Sequence, residues 1–341
     1  MGSRSRSSFA IPALIVIGCC CFSLRPGFAL VTPGQTAVPQ QRTTNPEKTT
    51  VVDLSFQDLR NRYGAELHDL EFDENQQDLG LLLKKAGENV EAFFKNIHDT
   101  SSKEQIIMQR LREDGKVEAS LKASFDYLLL SRPDPTGTSI EEYRTDSQGK
   151  SVKLRTDSKA LPAKLDKTSG YMVTSGFAGH CIFLHPSHRF GSRFRYLGKQ
   201  ASAPHAQVIA FAQRPEAGDF LAAIGSNNLT PVLLQGLVWV DPQTYQIVRL
   251  RTDLLEPPSR YGVTRQTTEV RFSEVHLQGI PEVFWLPREV VVTVERYSVA
   301  SVKNRPILTA YRNTHTYSGY KLFTVESRIH YDKVVTPPVK K

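Results

Sequence analysis

The clearest helical pattern in the chain spans residues 75–97. Apolar residues recur there at three- and four-residue spacing and form one stripe, with lysines and glutamates on the opposite face. The stripe comprises Leu79, Leu82, Leu83, Ala86, Val90, Phe93, Phe94 and Ile97. A shorter helix is predicted around Phe56 and Leu59. Because an amphipathic helix is stable mainly through packing of its apolar face, the rest of the chain is expected to supply an apolar surface.

Alternating apolar and polar residues directly after this helix predict a β-hairpin. Residues 106–111 and 117–129 flank an Asp114-Gly115 pair, which is typical of a tight turn between antiparallel strands. Further strands are predicted at 140–145, 151–156, 206–213, 236–240, 246–254, 267–277, 289–297, 307–318 and 322–331. Because most of the links are too short for crossover helices, the sheet is expected to be largely antiparallel, with one helix-rich insertion between Met172 and His188.

A change of apolar phase indicates that this sheet is curved. Within 267–277 the apolar positions move from Val270 and Phe272 to Val275 and Leu277, and such a shift is typical of a β-bulge. The predicted fold class is therefore α+β, with a large, curved, mostly antiparallel sheet and the amphipathic helix packed against it.

Residues 1–29 have the pattern of an export signal. Arg4 and Arg6 precede an apolar run from Phe9 to Leu24, and Pro26 follows it. The run is shorter than the roughly 20 residues that cross a bilayer, so no transmembrane helix is expected after cleavage. We therefore expect an exported protein, periplasmic or secreted.

The segment Val16-Ile17-Gly18-Cys19 supports a second interpretation, because it is similar to the lipobox of bacterial lipoproteins. In that case Cys19 would carry the lipid that anchors the protein to a membrane. The apolar run continues beyond Cys19 as far as Phe22, and this continuation favours soluble export.

Composition divides the rest of the chain into a linker, one domain and a tail. Residues 30–52 are rich in Thr, Pro and Gln and are expected to form a flexible linker. Residues 53–335 are expected to form a single β-rich domain with N-terminal helices, and residues 336–341 a disordered tail. Only Cys181 remains after cleavage, so the domain cannot contain an intramolecular disulfide.

The charge of the chain argues against a nucleic-acid partner. The formal net charge is +8, and loss of Arg4, Arg6 and Arg25 lowers it by three, to +5. The basic residues are scattered among acidic ones and form no cluster interleaved with aromatic residues. Nucleic-acid binding requires such a clustered basic face.

The chain contains no common catalytic or cofactor-binding signature, whether G-x-S-x-G, H-E-x-x-H, a phosphate-binding Gly-Lys loop or G-x-G-x-x-G. We therefore expect no catalysis and no cofactor. His180, Cys181, His185 and His188 are residue types that zinc accepts, but the first two are adjacent and point apart, and Pro186 constrains the loop. No metal site is predicted, and these residues are expected to serve loop and core packing.

Four aromatic residues are the first candidates for contact with an apolar ligand. Trp239 lies in a strand that is apolar on both faces, and Trp285 begins a later strand, so the two could line one pocket. Phe93 and Phe94, from the helical stripe, would face the same apolar surface. Plain core packing is the competing interpretation for Trp239.

A polar and aromatic row on one strand adds two further candidates, Tyr311 and His315, which share a face with Asn313 and Tyr317. No acidic partner of His315 lies at a spacing that can be read from the sequence. A structural, hydrogen-bonded histidine is therefore expected here rather than a general base.

Several of these segments resemble an uncharacterised family of exported proteins of acidobacteria. The resemblance extends from about residue 54 to residue 325, and no activity comes with that family. The segments are Gly87-Glu-Asn-Val-Glu-Ala-Phe-Phe94, Phe125-Asp-Tyr-Leu128, Thr174-Ser-Gly-Phe177 with His185-Pro186, and Asn313-Thr-His315 with Tyr320.

A more distant resemblance is to the outer-membrane lipoprotein carrier superfamily. It rests on Val238-Trp-Val-Asp241-Pro-Gln-Thr-Tyr245, Ile247-Val-Arg249 and Trp285-Leu-Pro287, and covers about 90 residues. Members of that superfamily fold as a strongly curved antiparallel sheet, an incomplete barrel, with helices on its concave face over an apolar cavity that holds acyl chains. The resemblance implies the same arrangement here. It maps none of the carriers' functional residues onto this chain, which is longer and has an extra N-terminal helical stretch.

The function expected from these observations is non-catalytic binding of an apolar ligand, a lipid or a lipoprotein acyl chain, between sheet and helices in the cell envelope. One alternative is an envelope scaffold or sensor that binds a protein partner through a sheet edge or the helical stripe. Another is a hydrolase with its site around His315 or the loop from His180 to His188. A cavity in the fold would favour the first function, a filled core the second, and a histidine paired with a carboxylate in a cleft the third.

Overall fold

The computed structural model describes residues 16–19, 49–96, 99–134, 137–153, 174, 180–218, 222–225, 230–258, 262–302 and 305–322. Several predicted features lie outside the described residues: nearly all of the export signal, most of the linker, Ile97, most of the insertion before His180, the strand beyond Leu322 and the C-terminal tail.

Both predicted helices are present, as α1 (Phe56–Tyr63) and α2 (Leu79–Asn96). The Ser55 hydroxyl caps α1 by accepting a hydrogen bond from the Asp58 amide at 3.1 Å. The apolar stripe of α2 lies against the sheet, with Leu82, Ala86 and Val90 buried. No helix in the described part of the chain is both long and apolar enough to cross a membrane.

The described residues form fifteen strands, most of which the sequence predicts. They are β1 (Val16–Cys19), β2 (Leu70–Phe72), β3 (Thr100–Leu111), β4 (Val117–Asp134), β5 (Gly137–Thr145), β6 (Ser151–Lys153), β7 (Ser192–Gln200), β8 (Gln207–Gln213), β9 (Ala222–Gly225), β10 (Thr230–Val232), β11 (Leu234–Val240), β12 (Ile247–Leu254), β13 (Val263–His276), β14 (Val283–Val302) and β15 (Arg305–Leu322).

Twelve of these strands form one sheet, in the order β2-β7-β8-β11-β12-β13-β14-β15-β3-β4-β5-β6. Every pair of neighbours in it is antiparallel, and its two end strands, β2 and β6, are not paired with each other. The sheet is therefore open. A separate small sheet has the order β1-β9-β10. The predicted α+β class with a mostly antiparallel sheet is confirmed.

Register shifts in six strand pairs bend the large sheet. They occur between β7 and β8, β11 and β12, β13 and β14, β14 and β15, β15 and β3, and β3 and β4. A bulged strand bends locally and its twist increases. The predicted bulge contributes to this curvature, because the β13–β14 register shifts between Arg271 and Phe272 and leaves Arg288 as the extra residue.

The convex face carries a second buried cluster, formed with α1 and the residues on either side of it. The expectation that the helices pack on the concave face therefore holds for α2 and is wrong for α1. The Val51 amide donates to Gln235 Oε1 at 2.8 Å, and the Tyr63 hydroxyl donates to Asp253 Oδ2 at 3.1 Å. Thr50 and Val51 are buried, so ordered packing begins before the predicted linker boundary at residue 52.

Strand β7 was not predicted from the sequence, because arginines occupy its outward positions. Arg193 binds both carboxylate oxygens of Asp53, at 2.8 and 2.7 Å, and Arg195 donates to the Leu54 carbonyl at 2.6 Å. The expectation of a helix-rich insertion is wrong for its described part. Residues 180–191 contain only short 3-10 turns, at Ile182–Leu184 and Arg189–Gly191.

Candidate functional site

A shallow, half-open groove lies between α2 and the concave face of the sheet, and its space of about 390 Å³ includes open solvent. The groove is lined by nine residues: Asn89, Val90, Phe93, Cys181, Gln246, Ile247, Phe272, Trp285 and Pro287. None of the nine side chains is charged, and only the two amides are strongly polar.

One wall of the groove is formed by three side chains of α2. Asn89, Val90 and Phe93 lie on one face because residues three and four apart are neighbours on a helix. Asn89 Nδ2 is held by the Thr244 carbonyl at 2.9 Å, so this amide is already oriented. Phe93 packs edge-on against Phe94, with ring centroids 5.2 Å apart, and Phe94 points into the core.

Two adjacent strands supply the opposite wall. Trp285 and Pro287 come from β14, and Phe272 comes from β13, where it pairs with Pro287. The bulge between Arg271 and Phe272 therefore lies directly at the groove. Phe93 and Trp285 are only half-buried, so their rings retain surface that a ligand can cover.

Cys181 lies in the groove wall as a buried free thiol. Burial raises the pKa of this thiol to about 12, so it is neutral near pH 7 and adds no charge to the groove.

The second tryptophan candidate, Trp239, belongs to the other face of the sheet. Its side chain is 1% exposed and packs in the convex cluster with α1, while Val238 and Val240 face the concave side. The Arg249 guanidinium lies 4.4 Å from the centre of the indole ring. The structure thus brings Phe93 and Trp285 together and does not bring the two tryptophans into one pocket.

The polar row of β15 lies on the concave face beside β3. Tyr311 is half-buried and packs against the concave core, away from the lining of the groove, whereas His315 is fully buried. His315 Nδ1 is 2.8 Å from Glu104 Oε1, and His315 Nε2 is 2.6 Å from Thr174 Oγ1.

Arg144, from β5, completes what we call the buried network: Glu104, Arg144, Thr174, His315 and Tyr317. Arg144 binds Glu104 through Nε at 2.6 Å and Nη2 at 2.8 Å, and its Nη1 donates to the Thr174 carbonyl at 2.6 Å. The Tyr317 hydroxyl donates to Glu104 Oε1 at 2.9 Å. Glu104 and Arg144 were missed at the sequence level, although both stand at inward positions of strands, where a charged residue is unusual.

Electrostatics fix the protonation of this network. Burial opposes the charge of Glu104, but the interactions with Arg144 and His315 hold its pKa far below the usual value. Burial lowers the pKa of His315, and the neighbouring Glu104 only partly offsets this. The partners imply a neutral imidazole that donates from Nδ1 to Glu104 and accepts at Nε2 from the Thr174 hydroxyl.

The Thr174 hydroxyl, the His315 imidazole and the Glu104 carboxylate follow one another in a hydrogen-bonded row. Enzymes that activate a hydroxyl as a nucleophile use the same order of groups. However, Thr174 is 2% exposed and His315 is fully buried, and the Glu104 carboxylate is held by Arg144. A carbonyl substrate cannot reach the Thr174 hydroxyl through the described residues in this structure. The histidine–carboxylate pair is present, but it does not lie in a cleft, so this geometry does not favour the hydrolase alternative.

The loop from His180 to His188 does not gather its side chains around one point. The rings of His185 and His188 are 6.0 Å apart, and His185 Nδ1 contacts Ser187 Oγ at 2.6 Å. Among the residues that the structure describes, no group of three or more His, Cys, Asp or Glu side chains is placed to hold a metal ion.

The fold and the groove define a class of protein: an open, curved antiparallel sheet with a helix on its concave face and an uncharged groove between them. No protein-family model matches the chain, and no curated protein is similar to it in sequence. Among solved structures, the chain is similar to a crystal structure of a LolA superfamily protein from Nitrosomonas europaea, with 12% sequence identity over 72% of this chain and 94% of that one. The TM-score is 0.29, and at this value the likeness does not bear on function.

Proposed function

We propose that the protein binds an apolar chain, from a lipid or from the acyl group of a lipoprotein, in the groove and without catalysis. The observation that carries this proposal is the lining itself, because the nine side chains that line the groove, from α2, β12, β13, β14 and the adjoining loops, include no charged residue. An ionised headgroup inside such a lining would lose its hydration without gaining a partner. The part of the ligand in the groove is therefore uncharged.

The energetics of chain burial are compatible with useful affinity. Each methylene transferred from water contributes about 0.8 kcal/mol, and a micromolar complex corresponds to about 8.2 kcal/mol. Burial of about ten methylenes would supply that free energy before the entropic cost of association. No catalytic group is required.

The proposal includes an envelope location, periplasmic or secreted, with a lipid anchor on Cys19 as the alternative. It is supported by the pattern of residues 1–29.

Binding of a protein partner is the second function that the sequence suggests. The structure argues against one of the two surfaces that could bind the partner. The apolar stripe of α2 is occupied by the sheet, since Leu82, Ala86 and Val90 are buried. A partner would have to use a sheet edge, at β2 or β6.

A titration with the uncharged fluorophore N-phenyl-1-naphthylamine tests the groove. Phe93→Gln places an amide in the apolar lining, and we expect it to weaken binding about tenfold, equivalent to about 1.4 kcal/mol. Leu81→Gln is the matched control, because Leu81 lies on the same helix and is 52% exposed. Equal affinities for wild type and Phe93→Gln, or no saturable binding by wild type, would contradict the proposal.

A further inference from the structure

The turn between β11 and β12 brings together the two amide side chains of the groove, Asn89 and Gln246. Asn89 belongs to α2, and its Nδ2 donates to the Thr244 carbonyl at 2.9 Å. Thr244 lies two residues before Gln246, and its hydroxyl accepts a hydrogen bond from the Gln246 backbone amide at 3.3 Å. One amide therefore comes from the helical wall of the groove and the other from the turn at the edge of the sheet wall.

The side-chain amide of Asn89 has a fixed orientation. A carbonyl can only accept a hydrogen bond, so the atom that faces the Thr244 carbonyl is the nitrogen, and Oδ1 occupies the other branch of the amide. Oδ1 has no hydrogen-bond partner among the residues that the structure describes. Asn89 thus offers a bound ligand a hydrogen-bond acceptor that is already oriented.

Gln246 offers a ligand the complementary group. Its side chain lines the groove and is half-buried, and its amide has no hydrogen-bond partner in the described part of the chain. A glutamine amide carries two N–H donors on Nε2. Gln246 Nε2 is therefore available to donate to a carbonyl oxygen of a ligand.

A ligand that covers both amides must replace the water that they lose, because a polar group that is desolvated without a new hydrogen bond weakens binding. An ester could accept from Gln246 but has no donor for Asn89. An ionised carboxylate likewise has only acceptors, and none of the nine lining residues is Lys or Arg. A secondary amide has both groups.

The shape of a secondary amide also suits two amides on different walls of the groove. A trans amide is planar, and its C=O and N–H point in opposite directions. Such a group between Asn89 and Gln246 can contact both side chains at once. A hydroxyl, in contrast, places its donor and its acceptor on a single atom.

We propose that Asn89 and Gln246 form a head-group subsite of the groove that binds the amide of an N-acyl compound. Asn89 Oδ1 accepts from the ligand N–H, Gln246 Nε2 donates to the ligand carbonyl, and the acyl chain lies along the apolar lining. This inference rests on the proposed function, since it names the class of ligand for the same groove. That class is a fatty-acid amide rather than a fatty-acid ester or a free fatty acid.

The test is displacement of N-phenyl-1-naphthylamine from the full chain by N-methyldecanamide and by N,N-dimethyldecanamide. Both ligands have the same acyl chain and carbonyl, but only the first has an N–H. If burial of apolar surface alone decided affinity, the dimethyl compound would bind more tightly, because it has one more methyl group. We expect the opposite, about fivefold tighter binding of N-methyldecanamide, equivalent to about 1 kcal/mol. Equal affinities, or tighter binding of the dimethyl compound, would overturn the subsite.

Three variants assign the two hydrogen bonds. Asn89→Leu removes the acceptor, so the preference for N-methyldecanamide should disappear. Gln246→Leu removes the donor to the carbonyl that both ligands share, so both should bind about fivefold more weakly and the preference should remain. Gln243→Leu is the control, because Gln243 lies on the same turn but is exposed and outside the groove lining, and it should behave as wild type. A preference that persists in Asn89→Leu, or that is lost in Gln243→Leu, would contradict the assignment.

These substitutions are compatible with folding. Leucine is a better helix former than asparagine, and Gln246→Leu breaks no side-chain hydrogen bond among the described residues.

The same titrations separate this inference from the proposed function. If the fluorophore binds and both amides displace it with affinities that Asn89→Leu and Gln246→Leu leave unchanged, the subsite fails and apolar binding in the groove stands. If neither the fluorophore nor either amide binds, the proposed function fails and the subsite fails with it.

Discussion

At the scale of single residues, Glu104 and Arg144 form a fully buried ion pair on which the stability of the fold is expected to depend. Their side chains are 0% and 1% exposed, and two hydrogen bonds of 2.6 and 2.8 Å join them. Removal of one partner leaves the other as an uncompensated buried charge, which is far more damaging than loss of an exposed pair.

We expect Arg144→Met to lower the free energy of unfolding by about 3–5 kcal/mol, measured by urea denaturation. Arg110→Met is the control. Arg110 binds Glu118 at 2.9 Å on the surface, and loss of that pair should change stability by about 0–1 kcal/mol. Similar effects of the two substitutions would contradict the role of the buried network.

His315 makes a distinct prediction about stability and pH. Its pKa in the folded protein is lowered from 6.5 by burial, so the unfolded chain binds this proton more tightly. The free energy of unfolding should therefore decrease as the pH falls from about 6.5 toward the folded-state pKa. Glu104, whose pKa is lowered from 4.5, adds a further loss only below that value. Denaturation midpoints at pH 7.5, 6.5 and 5.5 check this, and His315→Gln should flatten the profile over that range.

The sequence revealed only part of the buried network, for a definite physical reason. The alternation of β15 placed Tyr311, Asn313, His315 and Tyr317 on one face. The carboxylate partner of His315 is Glu104, 211 residues away, and the contact exists only because β15 pairs with β3. Strand order and register depend on the whole sheet, and no local pattern encodes them.

At the scale of elements, two glycines of α2 show how closely the helix approaches the chain around Leu184. A Cβ on Gly87 would lie 2.9 Å from the Leu184 carbonyl oxygen, whereas a Cβ on Gly80 would meet nothing within 4 Å. Close approach at Gly87 brings α2 onto the 3-10 turn at Ile182–Leu184, next to the groove residue Cys181.

These two positions give a matched pair of substitutions. Gly80→Ala should raise the melting temperature slightly, since alanine is better than glycine in a helix by up to about 1 kcal/mol. Gly87→Ala gains the same intrinsic preference, but the clash with Leu184 should outweigh it and lower the melting temperature. Equal stabilisation by both substitutions would show that α2 does not sit as close as the structure places it.

Elements with regular periodicity could be predicted from the sequence, and elements without it could not. The eighteen residues of α2 and the hairpin of β3 and β4 follow patterns of 3.6 and 2 residues. Strand β7 contains arginines that bind Asp53 and the Leu54 carbonyl, and its burial depends on contacts with chain about 140 residues away. Its own sequence therefore does not alternate clearly between apolar and polar residues.

At the scale of the whole molecule, the large sheet separates two environments. Its convex face is closed by α1 and the adjoining residues, while its concave face carries both the groove and the buried network. The two tryptophans lie on opposite faces, Trp239 in the closed convex core and Trp285 in the groove. Each face therefore has its own fluorescent reporter.

The most direct test of apolar binding in the groove is quenching of each tryptophan by an uncharged acyl chain, a brominated fatty acid methyl ester. Trp239→Phe leaves Trp285 as the only tryptophan, and Trp285→Phe leaves Trp239. Binding in the groove predicts saturable quenching of Trp285 and little change in Trp239. Quenching of Trp239 alone, equal quenching of both, or no saturable quenching of Trp285 would contradict the account.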